Sequence, residues 1–157
     1  LADFRADRHA LELGVVAREM FDWSSNARRI DPSNKGGRHA GTQAVLGLVY
    51  EVGIGDVPVD HKKALKWYRF AAEQGNAGSM HAIGSFYFWG KGVIQDDVYT
   101  HMWFNIAASN GDKSASEIRS SLSEHMTPSD ISKAQQLARE CVKKEYKGCW
   151  ETCTKTS

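Results

Sequence analysis

From residue 40 onward, small and apolar residues return at helical intervals. Ala40, Ala44 and Gly47, with Gln43, Leu46 and Tyr50 beside them, fall three or four residues apart, which places them on one side of a helix. The pattern breaks at a G-x-G pair, Gly53 and Gly55, where the helix is expected to end with positive φ. Asp60 follows at the start of a second helix, where its carboxylate can accept from exposed backbone N–H groups. That helix carries Ala64, Trp67, Tyr68, Ala71 and Ala72 on one face and stops at Gly75.

The pattern then recurs. Gly47, Tyr50, Gly53 and Gly55 return as Gly84, Tyr87, Gly90 and Gly92, each 37 residues later. Asp60, Trp67, Ala71, Ala72 and Gly75 return as Asp96, Trp103, Ala107, Ala108 and Gly111, each 36 residues later. The offset falls by one because the first copy has an extra loop residue near Asp56. Nine matched positions at nearly one period mark an internal repeat. Each copy reads as a helix pair that cannot cover its own apolar face, so neighbouring pairs must stack. Gly47 and Gly84 weaken their helices, and their recurrence implies a close approach between helices with no room for a β-carbon.

The expected fold is therefore all-α, a short α/α superhelix forming a single domain over residues 1–157. Residues 40–76 and 77–112 are the clear repeats. Residues 113–146 make a partial repeat and a capping helix, the latter starting at Thr127 as N-cap with Pro128 behind it. Ile131, Ala134, Leu137, Ala138, Cys141 and Val142 line the inner face of that cap. Residues 1–39 read as a degenerate helical unit with a polar inserted loop, because Trp23 to Ala27 repeats the Trp-to-Ala spacing of the later copies. Residues 147–157 form a tail.

The 20 basic residues are balanced by 19 acidic ones, for a net charge of +1, and no basic stripe forms, which argues against nucleic acid as a partner. No apolar run is long enough to cross a bilayer, so membrane insertion is not expected. The chain opens on Leu1 without a signal core, and this decides nothing about targeting.

The motif A-x-L-G-x-x-Y-x-x-G-x-G…D…A-x-x-W-Y-x-x-A-A-x-Q-G-x-A resembles the Sel-1-like repeat (SLR), a relative of the tetratricopeptide repeat, across residues 40–113. The segment Met126 to Cys141 is similar to the terminal helix of small bacterial members. That resemblance implies an adaptor for protein complexes in the bacterial envelope, periplasmic or secreted, although a cytoplasmic site is also open. It also implies a Cys141–Cys149 disulfide, since some exported relatives staple helices with cysteines at this spacing. Cys153 remains an equal candidate as partner; mass with and without reductant decides whether a disulfide forms, and three free thiols would exclude the exported reading. A zinc site is not expected, because no fourth thiolate or histidine pair lies near these cysteines.

Catalysis finds little support. The six histidines include no pair at i and i+4, and they read as surface or interface residues. Asp96-Asp97 is explained by a helix start. Some cysteine-rich relatives are described as penicillin-binding or β-lactamase-like, which makes a cell-wall-directed hydrolase the alternative function. Yet no serine stands three residues before any lysine, and no G-x-S-x-G elbow or P-loop occurs. No cofactor or metal is expected.

The expected binding surface is the concave face, lined by the first helix of each pair, with a protein or peptide as partner. Gln43, Leu48, Glu51 and Val52 lie off the repeat's recurring positions, and their counterparts are Met80, Ser85, Phe88 and Trp89. Aromatic residues at 88 and 89, where the sister copy has Glu51 and Val52, are candidate anchors, since tryptophan is enriched at binding hot spots. The competing reading packs both against the terminal unit. Oligomeric state does not follow from the sequence.

Overall fold

The structure is a computed structural model that describes residues 39–150. The N-terminal unit expected over residues 1–39 falls, up to residue 38, outside the described residues, and so does Cys153. The described residues form helices α1 (Ala40–Val52), α2 (His61–Ala72), α3 (Ala77–Trp89), α4 (Asp97–Ser109), α5 (Lys113–Ser123) and α6 (Pro128–Lys143), with no strand among them. The architecture is the all-α repeat superhelix expected from the periodicity.

Short polar side chains start these helices. Asp60 accepts from the Lys63 N–H and Asp96 from the Tyr99 N–H, so both occupy the N-cap role. Asn76 and Asp112 do the same for α3 and α5, accepting from Ser79 and Ala115. Thr127 accepts from the Asp130 N–H, with Pro128 behind it. Asp112, the cap of α5, stands just ahead of the partial repeat expected from residue 113. At the other ends, Gly53 and Gly90 take left-handed φ of 72° and 64° and return their N–H groups to Val49 and Phe86.

Helix α1 packs on α2, α2 on α3, and α3 on α4, while α4 is covered on its far side by both α5 and α6. The centre of the core therefore lies around α3 and α4. Trp103, Phe86, Phe104, Met80, Ile83, Met102 and Ile106 are all within 2% of complete burial there, which is where most of the apolar driving force resides. Gly47 and Gly84 sit where expected, each against the aromatic ring of its partner helix, Tyr68 and Phe104 respectively.

After α6 the chain turns back on itself. Glu145 and Tyr146 adopt positive φ, and Cys149 joins Cys141 in a disulfide with Cα atoms 5.3 Å apart. Both cysteines are buried. The resulting hook reaches across the array: the Tyr146 hydroxyl donates to Asn110, and the Arg69 guanidinium of α2 lies over the Trp150 ring.

Candidate functional site

The first helices of the two repeats present matching positions to solvent. On α1 the exposed apolar residues are Val45, Leu48 and Val52, three or four residues apart, hence along one face. On α3 the equivalent positions hold Ala82, Ser85 and Trp89. Ala82 and Ser85 are half-buried, and Trp89 is 68% exposed. Lys91, just beyond α3, lies 3.6 Å from the Glu51 carboxylate, which brings the C-terminal ends of the two helices side by side. Val52 and Trp89 hold equivalent positions at these two helix ends, and both are exposed. Val59 and Ile94, in the two G-x-G loops, add exposed aliphatic groups.

The candidate binding residues divide into three kinds. Leu48 and Trp89 face solvent. Ser85 and Phe88 are half-buried, and the Phe88 ring stands edge-on to Trp89 with centroids 4.8 Å apart. Gln43 and Met80, in contrast, are interior: Gln43 is 3% exposed and accepts a hydrogen bond from Gln74, and Met80 is fully buried. The expectation that these two meet a partner does not survive their burial. The helix turns them inward because positions 43, 46 and 47, like 80, 83 and 84, share the face that packs on the second helices.

Glu51 has an internal role. Its carboxylate accepts from the Tyr68 hydroxyl at 2.8 Å while Lys91 approaches from the other side. Burial, followed by this hydrogen bond and the negative charge of Glu51, drives the Tyr68 hydroxyl far above its ordinary pKa, so it stays a donor. In the second copy the equivalent ring is Phe104, which has no hydroxyl to satisfy, and Phe88 occupies the place of Glu51. The carboxylate-to-aromatic difference between the copies thus has a cause inside the fold. Trp89, Ile94 and the α1 stripe are the positions left without one. Sequence reasoning passed over Val45, Val59 and Ile94, although an isoleucine among the polar residues of G-K-G-V-I-Q-D-D was a visible signal.

The histidines are more structural than the sequence implied. His81 Nδ1 lies 2.7 Å from the Asp112 carboxylate, linking α3 to the start of α5. His101 is 2% exposed, so the surface reading fails for it. Ser123 gives its proton to the Arg119 carbonyl, leaving His101 Nε2 as the donor to the Ser123 hydroxyl at 3.0 Å. Burial, reinforced by the Arg119 charge, holds its imidazole below the ordinary pKa, and the ring is neutral. Among the described residues no group of three or more His, Cys, Asp or Glu is placed to hold a metal ion. No described helix is long and apolar enough to cross a membrane.

Comparison with known proteins places this geometry. The Sel1 repeat family model matches residues 41–76 and 77–112, the two copies identified from their spacing. No curated protein matches significantly. Among solved structures, the chain is similar to a protective antigen present in uropathogenic Escherichia coli strains, which displays an SLR fold. The identity is 28% and the TM-score 0.65, over 76% of this chain and 26% of that one. It is also similar to a Sel1 repeat protein from Oxalobacter formigenes, 37% identical over 48% of this chain and 31% of that one, with a TM-score of 0.46. The chain spans less than a third of the length of either.

Proposed function

We propose that this chain, a Sel1-repeat protein, is a non-catalytic protein-binding module that docks a partner across the shared face of α1 and α3. Sel1 repeats generally build protein-interaction modules, and this chain carries two in tandem. The observation that carries the reading is Trp89, a tryptophan 68% exposed at the position where the sister repeat exposes Val52. Leaving so large a ring in water gains the folded chain nothing, whereas a partner that buries it gains the full apolar area. Leu48, Val52 and Ile94 add further exposed apolar side chains on α1 and in the loop after α3, and the concave side of the array is the place such a surface belongs.

The Cys141–Cys149 disulfide supports an oxidising compartment, hence an exported bacterial protein of the envelope or periplasm. The adaptor reading is favoured over a penicillin-binding or β-lactamase-like hydrolase because the chain lacks an S-x-x-K pair and its conspicuous glycines are used in helix ends and helix contacts.

The test is direct binding. Partners captured from envelope extract are identified and purified, then titrated against wild type, Trp89→Ala, Leu48→Ser and a control at the distant, exposed Gln135→Ala. Truncation of a hot-spot tryptophan is expected to weaken binding by about 30-fold or more, with helicity unchanged. Equal affinity in the wild type and in both face variants refutes this surface.

A further inference from the structure

A second recessed surface lies at the other end of the array, between α4 and the capping helix α6. Its floor is apolar, made by Ile106 of α4 and by Ala138 and Val142 of α6, and the recess measures about 340 Å³. Val142 is 47% exposed, although it belongs to the side of α6 that packs inward. The rim is cationic. Arg139 and Lys143 stand one helical turn apart on α6, on the same edge of the recess. Across from them, Asn105 accepts from the Arg119 guanidinium at 2.6 Å, and a second depression, lined by Arg119, Lys113 and Asp112, adjoins the recess at Ser109.

These charges are not matched from within the described fold. Neither Arg139 nor Lys143 is ion-paired to a described residue. No acidic side chain lines the recess. Asp112 is committed to His81, the Ser114 hydroxyl and the Ala115 N–H, and Glu140 accepts from Gln136 along its own helix. An apolar floor beside unpaired cations attracts a ligand with the opposite arrangement, an apolar group flanked by negative charge. The recess has room for a leucine- or phenylalanine-sized side chain and is open along the helices, which suits an extended segment rather than an enclosed small molecule.

We propose that the α4–α6 groove is a second docking site, separate from the α1–α3 face, and that it takes an acidic peptide segment of a partner protein. One aliphatic or aromatic side chain of the segment fills the space over Ile106, Ala138 and Val142. Flanking carboxylates meet Arg139 and Lys143. Its position on the capping helix lets it operate while the α1–α3 face is occupied.

The probe is a short capped peptide with a single leucine between glutamates, titrated into the oxidised full chain and followed by amide chemical shifts. Two companions carry glutamine for glutamate, or glycine for leucine. Saturable shifts are expected at Ile106, Ala138 and Val142, with affinity falling at least about tenfold for either companion and for Arg139→Glu/Lys143→Glu. Both side chains replaced are exposed, and a salt titration of the wild type gives an independent readout, since affinity must fall as ionic strength rises. Absence of saturation at millimolar peptide, equal binding of the glutamine peptide, or shifts confined to Leu48 and Trp89 overturns the proposal.

Discussion

Replacing Gly47 by alanine tests how the helix pairs are held together. Gly47 has no positive φ, so it is not there for backbone freedom. A Cβ at this position would lie 2.6 Å from both Cδ1 and Cε1 of the Tyr68 ring. That ring is 5% exposed, packs edge-on against Phe86, and is tethered through its hydroxyl to Glu51. It cannot retreat without straining or breaking the tether. Overpacking of this kind costs about 1–3 kcal/mol, and weakening a hydrogen bond to a charged group adds up to about 1.5–3 kcal/mol. The better helix propensity of alanine offsets about 1 kcal/mol. The net expectation is a loss of about 2 kcal/mol, equivalent to roughly 4–8 °C in Tm for a chain of this size. Gly84→Ala is the internal control. There the nearest Phe104 ring atoms are 3.3 Å away and the ring has no hydroxyl tether, so a slight shift accommodates the methyl group. Its Tm is expected to stay within about 2 °C of wild type once the propensity gain is included. Adding Tyr68→Leu should make Gly47→Ala far less damaging than it is alone. Thermal denaturation followed by circular dichroism reads the wild type, the three single variants and the double variant, and equal Tm losses at Gly47 and Gly84 would falsify the account.

Three further outcomes follow from other parts of the molecule. Reducing the Cys141–Cys149 disulfide, or replacing Cys149 by serine, should lower stability by about 2–3 kcal/mol, the loop-closure value for so short a loop. The accompanying gain in amide exchange should concentrate in residues 141–150, and unchanged exchange there counts against a structural role for the hook. His101 titrates below the ordinary imidazole value, so as pH falls the unfolded chain takes up its proton first. Its contribution is complete above about pH 6.5 and is lost progressively below that. Urea midpoints from pH 7.5 to pH 5, compared with His101→Gln, should show a shallower decline in the variant; parallel curves exclude His101 as the source. Asp96→Ala removes the acceptor for the Tyr99 N–H and should cost about 1 kcal/mol in the same urea assay, whereas Asp97→Ala, which provides no cap, should cost much less.

The repeat was legible because packing imposes it on the sequence. A glycine under an aromatic ring, a carboxylate at a helix start and a glycine in left-handed conformation each restrict a position to one or two residue types, and each constraint occurs twice. The cap Asp112 was less visible because its counterpart in the first copy is Asn76, a different residue with the same hydrogen-bonding geometry. Orientation within a helix was harder still. Gln43 lies off the recurring positions and so pointed to the partner surface, yet its side-chain oxygen accepts from Gln74, which lets it be buried. The α4–α6 groove was not legible at all. It depends on how α6 crosses α4, the residues that form it are some thirty positions apart, and the α6 half has no sister copy for comparison.

Differences between sister repeats identify function only after the fold's own requirements have been subtracted. Glu51 and Phe88 differ because Tyr68 needs an acceptor and Phe104 does not, so that difference belongs to the interior. Val52 and Trp89 differ too; Trp89 touches the ring of its neighbour Phe88, yet both side chains project into water. The same subtraction favours Leu48 over Ser85, since a half-buried serine fits beside neighbouring helices where an exposed leucine gains nothing. The exchange Glu51→Gln separates the two classes. It should weaken the Tyr68 tether and lower stability by about 0.5–1.5 kcal/mol, while leaving partner affinity unchanged. Trp89→Ala should do the reverse, lowering affinity with no loss of stability. If instead Glu51→Gln lowers affinity at constant stability, the carboxylate belongs to the binding surface and the pairing with Tyr68 is incidental.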